Sequence, residues 1–428
     1  MAAARFEPSG PLRGAIRPPS DKSISHRAAL IAAMGEGETR IDGYLDAADT
    51  RSTLAAVAAL GARVQEGPEL GSELKIEGVG LRGPRPAAID VGNAGTLMRL
   101  LPGWLAGQEE GEWTLDGDDS IRRRPVDRIA VPLAQMGADV SAPEGLPPLT
   151  VRGAALRGFD YEMPIASAQV KSCLLFAGLL AEGPTRIVQG HRSRDHTERM
   201  LAAAGASIER AEAAVVVRPT KRLKPRRIDV PADISSAAFF VVAAALVAGS
   251  EVVLEGVGVN PTRTGILTIL ERMGAGVEVH PSGERGGEPV ARLLVRPAPL
   301  RGTEVGGAEI PLAIDELPLV ALAACFAEGT TTIRDAAELR RKESDRIAVV
   351  SDALRALGGQ VEATEDGMVI EGTGGLRGGA VSSHGDHRIA MLGAVAGLAS
   401  ADGVEVEGMD AAAVSYPGFE ADLASLLG

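Results

Sequence analysis

Apolar residues recur along this chain in one repeated order: a helix-length apolar run, a glycine, then a short strand in which apolar and polar positions alternate. Six stretches carry it: LIAAMGEGETRIDG, LLPGWLAGQEEGEWTLDG, LLFAGLLAEGPTRIVQG, VVAAALVAGSEVVLEG, VALAACFAEGTTTIRDA and LGAVAGLASADGVEVEG. Between copies comes a second helix ending at glycine, as in TLAAVAALGARV, RIAVPLAQMGADV or ALRALGGQVEA, and then a further strand. The copies lie roughly 65 to 80 residues apart, longer than the periods of solenoid repeats. Alternating helices and strands of this kind predict an α/β fold of six similar units.

The ends of the chain decide how the units group. FEADLASLLG reads as the second helix of the last copy, reached at Gly428 with no strand after it. RFEPSGPLRG at the other end supplies a strand and the Leu-Arg-Gly that also stands at Leu81–Gly83, Leu156–Gly158, Leu300–Gly302 and Leu376–Gly378. Residues 1–19 are therefore expected to complete the sixth unit. Two domains of three units result: residues 1–19 with 228–428, and an inserted domain of residues 20–227. The chain would cross near Pro19 and within RPTKRLKPRRIDVP, where prolines and cations mark a boundary. The alternative is one row of similar units with no bipartite cleft.

Composition narrows the function classes. Phe, Trp and Tyr make up 3% of the 428 residues, which leaves few rings to stack on bases, and a formal charge of -13 disfavours a polyanion as partner. A small cationic cleft in such a protein can still steer a small anion. Cys173 and Cys325, the only cysteines, offer neither a disulfide framework nor a thiolate metal site. The first ten residues have no apolar leader core, and runs such as AAFFVVAAALVAG fall short of the ~20 residues that span a bilayer, so a cytoplasmic protein without membrane contact is expected.

Polar residues concentrate where the helices begin. SDKSISHR, NAGT, SAQVK, DISSAA, IDELP and GDHR precede the first helices; DTRST, DSIRRRP, SRDHTER, NPTRTG and RRKESDR precede the second. Open N–H groups at a helix start suit phosphate and carboxylate ligands, although Ser, Thr, Asp and Asn there are also ordinary caps. In RRKESDR, Lys342 and Arg346 fall one turn apart on an expected helix, a like-charge pair that calls for an anion between them. Arg122, Arg123 and Arg124 crowd before a proline and read as a clamp for an anion. Asp315 and Glu343 stand beside these cations, either as cap and ion-pair partner or as groups that move protons. His387 either joins them or is a structural hydrogen bonder, and its spacing from His384 does not suggest a metal.

Taken in order, PSDKSISHR, NAGTLMR, RRRP, SAQVK, RDHTE, IDE, RRKESDR and GDHR resemble the EPSP synthase family, the 3-phosphoshikimate 1-carboxyvinyltransferases, along essentially the whole chain. The resemblance implies two domains, each of three βαβαββ units with pseudo-threefold symmetry, and an active site in the cleft between them. It implies transfer of the enolpyruvyl group of phosphoenolpyruvate to the 5-hydroxyl of shikimate 3-phosphate, by addition and elimination, without a cofactor or metal. Carried over residue by residue, Lys22, Ser23, Arg27, Ser167, Gln169, Arg194, Asp315 and Lys342 would hold shikimate 3-phosphate. Lys22, Asn93, Gly95, Thr96, Arg124, Gln169, Arg346 and Arg388 would hold phosphoenolpyruvate. Asp315 would accept the 5-hydroxyl proton and Glu343 would protonate the methylene carbon, with Lys22 bridging both substrates and His387 assisting. A monomer with no nucleic-acid partner is expected.

The chain departs from the family at two places. Ala168 replaces a serine that many members have between Ser167 and Gln169, and SAQVK followed by RDHTE resembles the family's second class; Val414 stands where many have a lysine, which leaves phosphoenolpyruvate one cation fewer unless Arg194 or Lys171 compensates. The nearest rival, UDP-N-acetylglucosamine enolpyruvyl transferase, typically places a cysteine where this chain has Asp119. Because aspartate can replace that cysteine, DKSISHR, KESDR and DHR carry the distinction. A non-catalytic nucleic-acid-end-binding protein on the same repeat is disfavoured by charge and by the scarcity of aromatics.

Overall fold

A computed structural model describes residues 3–67, 73–211 and 213–427; Gly428, where the last helix reading ends, lies outside them. The chain divides into two compact units. One comprises Met1–Pro19, Ala232–Gly283 and Pro289–Gly428, the other Ser20–Pro231 and Glu284–Glu288.

Each unit holds three sheets on one plan, in which the central strand has a parallel neighbour on one side and an antiparallel neighbour on the other. In the unit of Ser20–Pro231 the central strands Glu36–Asp42, Glu112–Asp116 and Thr185–Gln189 have Arg227–Asp229, Ala87–Asp90 and Asp160–Met163 as parallel partners. In the other unit Glu251–Gly258, Glu328–Ile333 and Val404–Glu407 pair with Arg13–Ile16, Glu304–Val305 and Gly379–Ser382. Parallel pairing demands a crossover, and in the repeats that run without interruption a helix supplies it. Ala3–Phe6 lies antiparallel to Val404–Glu407, Ala3 opposite Glu407.

Arg13–Ile16 does not follow Ala3–Phe6 into that last sheet, as the repeat reading had residues 1–19 do. Leu-Arg-Gly leads into a parallel strand wherever it occurs, and at Leu12–Gly14 that strand belongs to the sheet of Glu251–Gly258. The register of the motif, rather than proximity along the chain, decides the sheet.

The first helix of each repeat is buried on nearly every side. Ile234–Leu246, Leu317–Cys325 and His387–Ala399 lie in one core, and the apolar parts of Lys22–Met34, Gly95–Ala106 and Ala168–Gly178 in the other. A helix apolar all round belongs inside, and small residues let such helices approach closely. At the nearest approach, a Cβ on Gly103 would strike the Cys173 carbonyl. Both cysteines are free and buried, and burial pushes the Cys325 thiol up to about 12, so they act as apolar filling. No helix among the described residues is long and apolar enough to cross a membrane.

Candidate active site

In the unit of Ser20–Pro231 the polar starts of three buried helices gather the chemistry. Asp21 caps Lys22–Met34, its Oδ1 accepting from the Ile24 N–H at 2.8 Å, and so frees the next residues to face outward. Lys22 Nζ reaches Asp49 Oδ2 at 3.0 Å, and one turn on His26 Nδ1 meets Thr53 Oγ1 at 2.6 Å. Two rungs thus join the helix to Ala48–Ala59. Arg27 points inward, donating from Nε to Thr197 Oγ1 (2.7 Å), from Nη2 to Ser172 Oγ (3.0 Å) and from Nη1 to the Ser23 carbonyl (2.9 Å).

His26 carries a testable consequence. Burial pushes its imidazole down to about 3; Asp49 opposes this, and Lys22 and Arg27 each add a smaller push in the direction of burial. Unfolded, the ring takes up a proton near pH 6.5, so between pH 6.5 and 3 the unfolded chain binds more protons and stability falls as the pH falls. Replacing His26 by asparagine should remove this slope: the loss between pH 7 and 5 is expected to be about 2 kcal/mol smaller in the variant, read from denaturant unfolding. Equal losses in both proteins would show that His26 is not the titrating group.

The helix Gly95–Ala106 begins without a side-chain cap; of its first N–H groups, that of Gly95 donates to the Asn93 carbonyl at 2.8 Å. Arg124 stands over them, donating from Nη2 to Asn93 Oδ1 at 3.0 Å and to Ser120 Oγ at 2.8 Å. A Cβ on Gly95 would come within 3.0 Å of Arg124 Nη1 and 3.3 Å of Arg99 Nη1, which explains a glycine where a helix starts under two guanidiniums. Gln169 ties this group to the next helix, donating to Thr96 Oγ1 (3.2 Å) and accepting from Arg99 Nη1 (3.1 Å). Ser167 caps Ala168–Gly178. That helix therefore links both groups, through Ser172 to Arg27 and through Gln169 to Thr96.

Two expectations need correction here. Only Arg124 of the three consecutive arginines faces inward: Arg122 is an exposed partner of Asp116 at 2.7 Å, and Arg123 is exposed too, because the short helix Asp119–Arg122 turns them outward. Lys171 cannot stand in for the lysine missing at Val414. It is fully buried, paired with Glu198 at 2.7 Å and bonded to the Ser193 carbonyl at 3.1 Å. It braces the loop that carries Arg194, itself half-buried. Arg99, the last residue of NAGTLMR but given no role in the sequence reading, is found from its contacts.

The other unit assembles a network of alternating charge. Lys342 and Arg346 do not share a helix: Lys342 follows the 3₁₀ turn Ala337–Arg341, and Arg346 opens the helix Arg346–Ala356. The anion between them is Asp315, whose Oδ1 accepts from Lys342 Nζ at 3.1 Å and from Arg346 Nη1 at 3.4 Å. Arg346, 1% exposed, also binds Glu343 Oε2 at 2.6 Å and the two oxygens of Asp386 at 2.9 and 3.2 Å. Burial alone would lower its pKa, but Asp386, Glu343 and Asp315 together hold it above the ordinary value. Asp386, also capping His387–Ala399, is kept below the usual carboxylate range by Arg346 despite burial. Arg388 Nη1 donates to the Asp315 carbonyl at 3.1 Å, and His387 Nδ1 lies 4.0 Å from Asp386.

Such a set can bind anions and shift protons. Twelve of the sequence-derived residues, Ser23, Arg27, Asn93, Gly95, Thr96, Arg124, Gln169, Asp315, Lys342, Glu343, Arg346 and Arg388, meet other members of their group directly. Ser23 contributes only its carbonyl to the hydrogen bonds described. No group of three or more His, Cys, Asp or Glu among the described residues is placed to hold a metal ion.

Comparison with known proteins shows the family of the chain. The sequence model of the family described as EPSP synthase (3-phosphoshikimate 1-carboxyvinyltransferase) matches residues 6–423. The 3-phosphoshikimate 1-carboxyvinyltransferase of Synechococcus sp. (strain RCC307) is 49% identical over 435 residues, covering 100% of this chain and 99% of its own. That of Geobacter sulfurreducens is 49% identical over 425 residues and 98% of either chain. A solved structure of EPSP synthase from Acinetobacter baumannii superposes with a TM-score of 0.87 at 42% identity, covering 100% of this chain and 98% of that one.

Proposed function

The chain belongs to the EPSP synthase family and transfers the enolpyruvyl group of phosphoenolpyruvate to the 5-hydroxyl of shikimate 3-phosphate, and we propose that both of its polar clusters bind the substrates' anionic groups while the one around Asp315 and Glu343 also moves the protons. The products are 5-enolpyruvylshikimate 3-phosphate and phosphate, on the route to chorismate and the aromatic amino acids.

In this reading Lys22, Ser23, Arg27, Ser167, Gln169, Arg194 and Lys342 hold shikimate 3-phosphate. Lys22, Asn93, Gly95, Thr96, Arg124, Gln169, Arg346 and Arg388 hold phosphoenolpyruvate. Both sets act on the same substrate pair. Asp315 takes the proton of the 5-hydroxyl as its oxygen attacks C2 of phosphoenolpyruvate, and Glu343 gives a proton to C3, with His387 assisting. The tetrahedral adduct then loses phosphate from C2 and a proton from the new methyl group, restoring the double bond. Fixed cations stabilise the charge that develops. Both steps are acid–base steps, so the scheme calls on no cofactor.

One observation carries the proposal: the single guanidinium of Arg346 contacts both Asp315 and Glu343. The proton acceptor and the proton donor are thus set on one rigid, planar group. Arg346 also meets Asp386, so three carboxylates surround this one guanidinium. The assay that tests the assignment follows inorganic phosphate released from phosphoenolpyruvate. Release is expected to require shikimate 3-phosphate, and release with UDP-N-acetylglucosamine in its place would overturn it. We further propose a cytoplasmic monomer without a nucleic-acid partner, supported by the acidic charge and the scarcity of aromatics.

A further inference from the structure

A second arginine reaches the carboxylate of Asp315 from a segment to which no role has been assigned. The turn Asn260–Gly265 is held by its own bonds: Asn260 Oδ1 accepts from the Thr262 N–H at 2.9 Å and from Thr262 Oγ1 at 2.8 Å, and the Arg263 N–H donates to the Asn260 carbonyl at 2.8 Å. Gly265 then brings the turn against the segment that leads to Asp315. A Cβ there would come within 2.8 Å of the Leu312 carbonyl carbon and 2.9 Å of the Ala313 Cβ. This close approach places Arg263 between two carboxylates, with Nη2 3.2 Å from Asp233 Oδ1 and Nη1 3.6 Å from Asp315 Oδ2.

We propose that Arg263 is a positioning residue for the proton-accepting step, its guanidinium anchored on Asp233 and holding Oδ2 of Asp315 so that the carboxylate meets the 5-hydroxyl in one orientation. The inference rests on Asp315 as the acceptor. Lys342 and Arg346, on Oδ1, are also the residues assigned to substrate, so their contacts with Asp315 change when phosphate and carboxylate groups arrive. Arg263 is 3% exposed and faces carboxylates of its own unit. Its anchor is equally fixed: Asp233 caps the helix Ile234–Leu246 through the Ser235 N–H at 2.8 Å. An ion pair at 3.6 Å biases rotation about Cβ–Cγ and with it the aim of the reacting oxygen, and misplacing a reacting group by about 1 Å can cost about 10²-fold in rate.

The test combines R263Q, R263K, D315N and the double variant R263Q/D315N, with thermal unfolding to establish that each is folded. R263Q is expected to lower kcat by about 10²-fold, with both KM values within about 3-fold of wild type. The solvent deuterium isotope effect on kcat should rise, because transfer from the hydroxyl to the carboxylate becomes slower; loss of activity through general loosening would leave it unchanged. R263K, whose single ammonium cannot fork to both carboxylates, should fall by about 10-fold. It carries the test alone if R263Q does not fold. The double variant should be no more than about 3-fold slower than D315N, since Arg263 acts through Asp315. Unchanged kcat in R263Q and R263K, or full multiplication of the two effects in the double variant, overturns the proposal. Wild-type turnover in D315N would instead remove Asp315 as acceptor, which is a separate failure.

Discussion

Replacing Glu343 by glutamine is expected to leave both substrates bound and to lower turnover by about three orders of magnitude. The substitution keeps the shape of the side chain and a carbonyl oxygen that can still accept from Arg346 Nη2, the contact that Glu343 makes at 2.6 Å. Asp386 and Asp315 continue to balance the buried guanidinium, so the fold loses little. What disappears is a transferable proton. Protonation of C3 is a step that water performs poorly, and a placed acid typically contributes 10²–10⁴-fold. Single-turnover phosphate release, together with calorimetric titration of shikimate 3-phosphate, separates the two effects. Turnover close to wild type would exclude Glu343 from proton transfer; weakened binding with intact turnover would assign it to the binding set.

Asp386 should produce the largest effect on stability. Its carboxylate is fully buried, takes two bonds from Arg346, one from Ser344 Oγ at 3.0 Å and one from the Arg388 N–H at 3.0 Å. Alanine in its place removes the cap of His387–Ala399 and takes from Arg346 the carboxylate that meets it through two bonds. Breaking one side of a buried pair costs about 3–5 kcal/mol, because the remaining charge cannot recover its hydration. Asp386→Asn should cost less, since the amide oxygen can still cap the helix. Urea unfolding of the two variants reads the difference. A loss below about 1 kcal/mol for alanine would mean that Glu343 and Asp315 suffice to hold Arg346.

Much of the architecture is legible in the sequence because each repeat states it again. A helix of Ala, Leu and Val followed by glycine and an alternating strand has one burial solution, and six copies make the pattern plain. The polar helix starts are legible too, since DKSISHR, NAGT and GDHR put cations and caps there. What escapes is whatever depends on side chains meeting across the fold. NPTRTG marks a helix start, but nothing in its spacing says that Arg263 faces Asp315, 52 positions later. Asp386 reads as a cap beside His387, and only the fold makes it the chief partner of Arg346. Lys171 reads as a spare cation because one dimension does not show that Glu198 lies opposite it. The like-charge spacing of Lys342 and Arg346 suggests a helix with an anion between them; the anion is Asp315, and the helix begins only at Arg346.

The pairing of Ala3–Phe6 with Val404–Glu407 bears on how the molecule comes into being on the ribosome. Ala3–Phe6 meets its partner only after about 400 further residues have been made, and Arg13–Ile16 must wait for Glu251–Gly258. Loops of that length raise contact order and slow folding, and they leave apolar strand edges uncovered in the interval. The stretch Ser20–Pro231 faces no such delay. Its sheets draw on strands from within that span, the last being Arg227–Asp229 against Arg40–Asp42, so it can begin to fold while the remainder is still being synthesised.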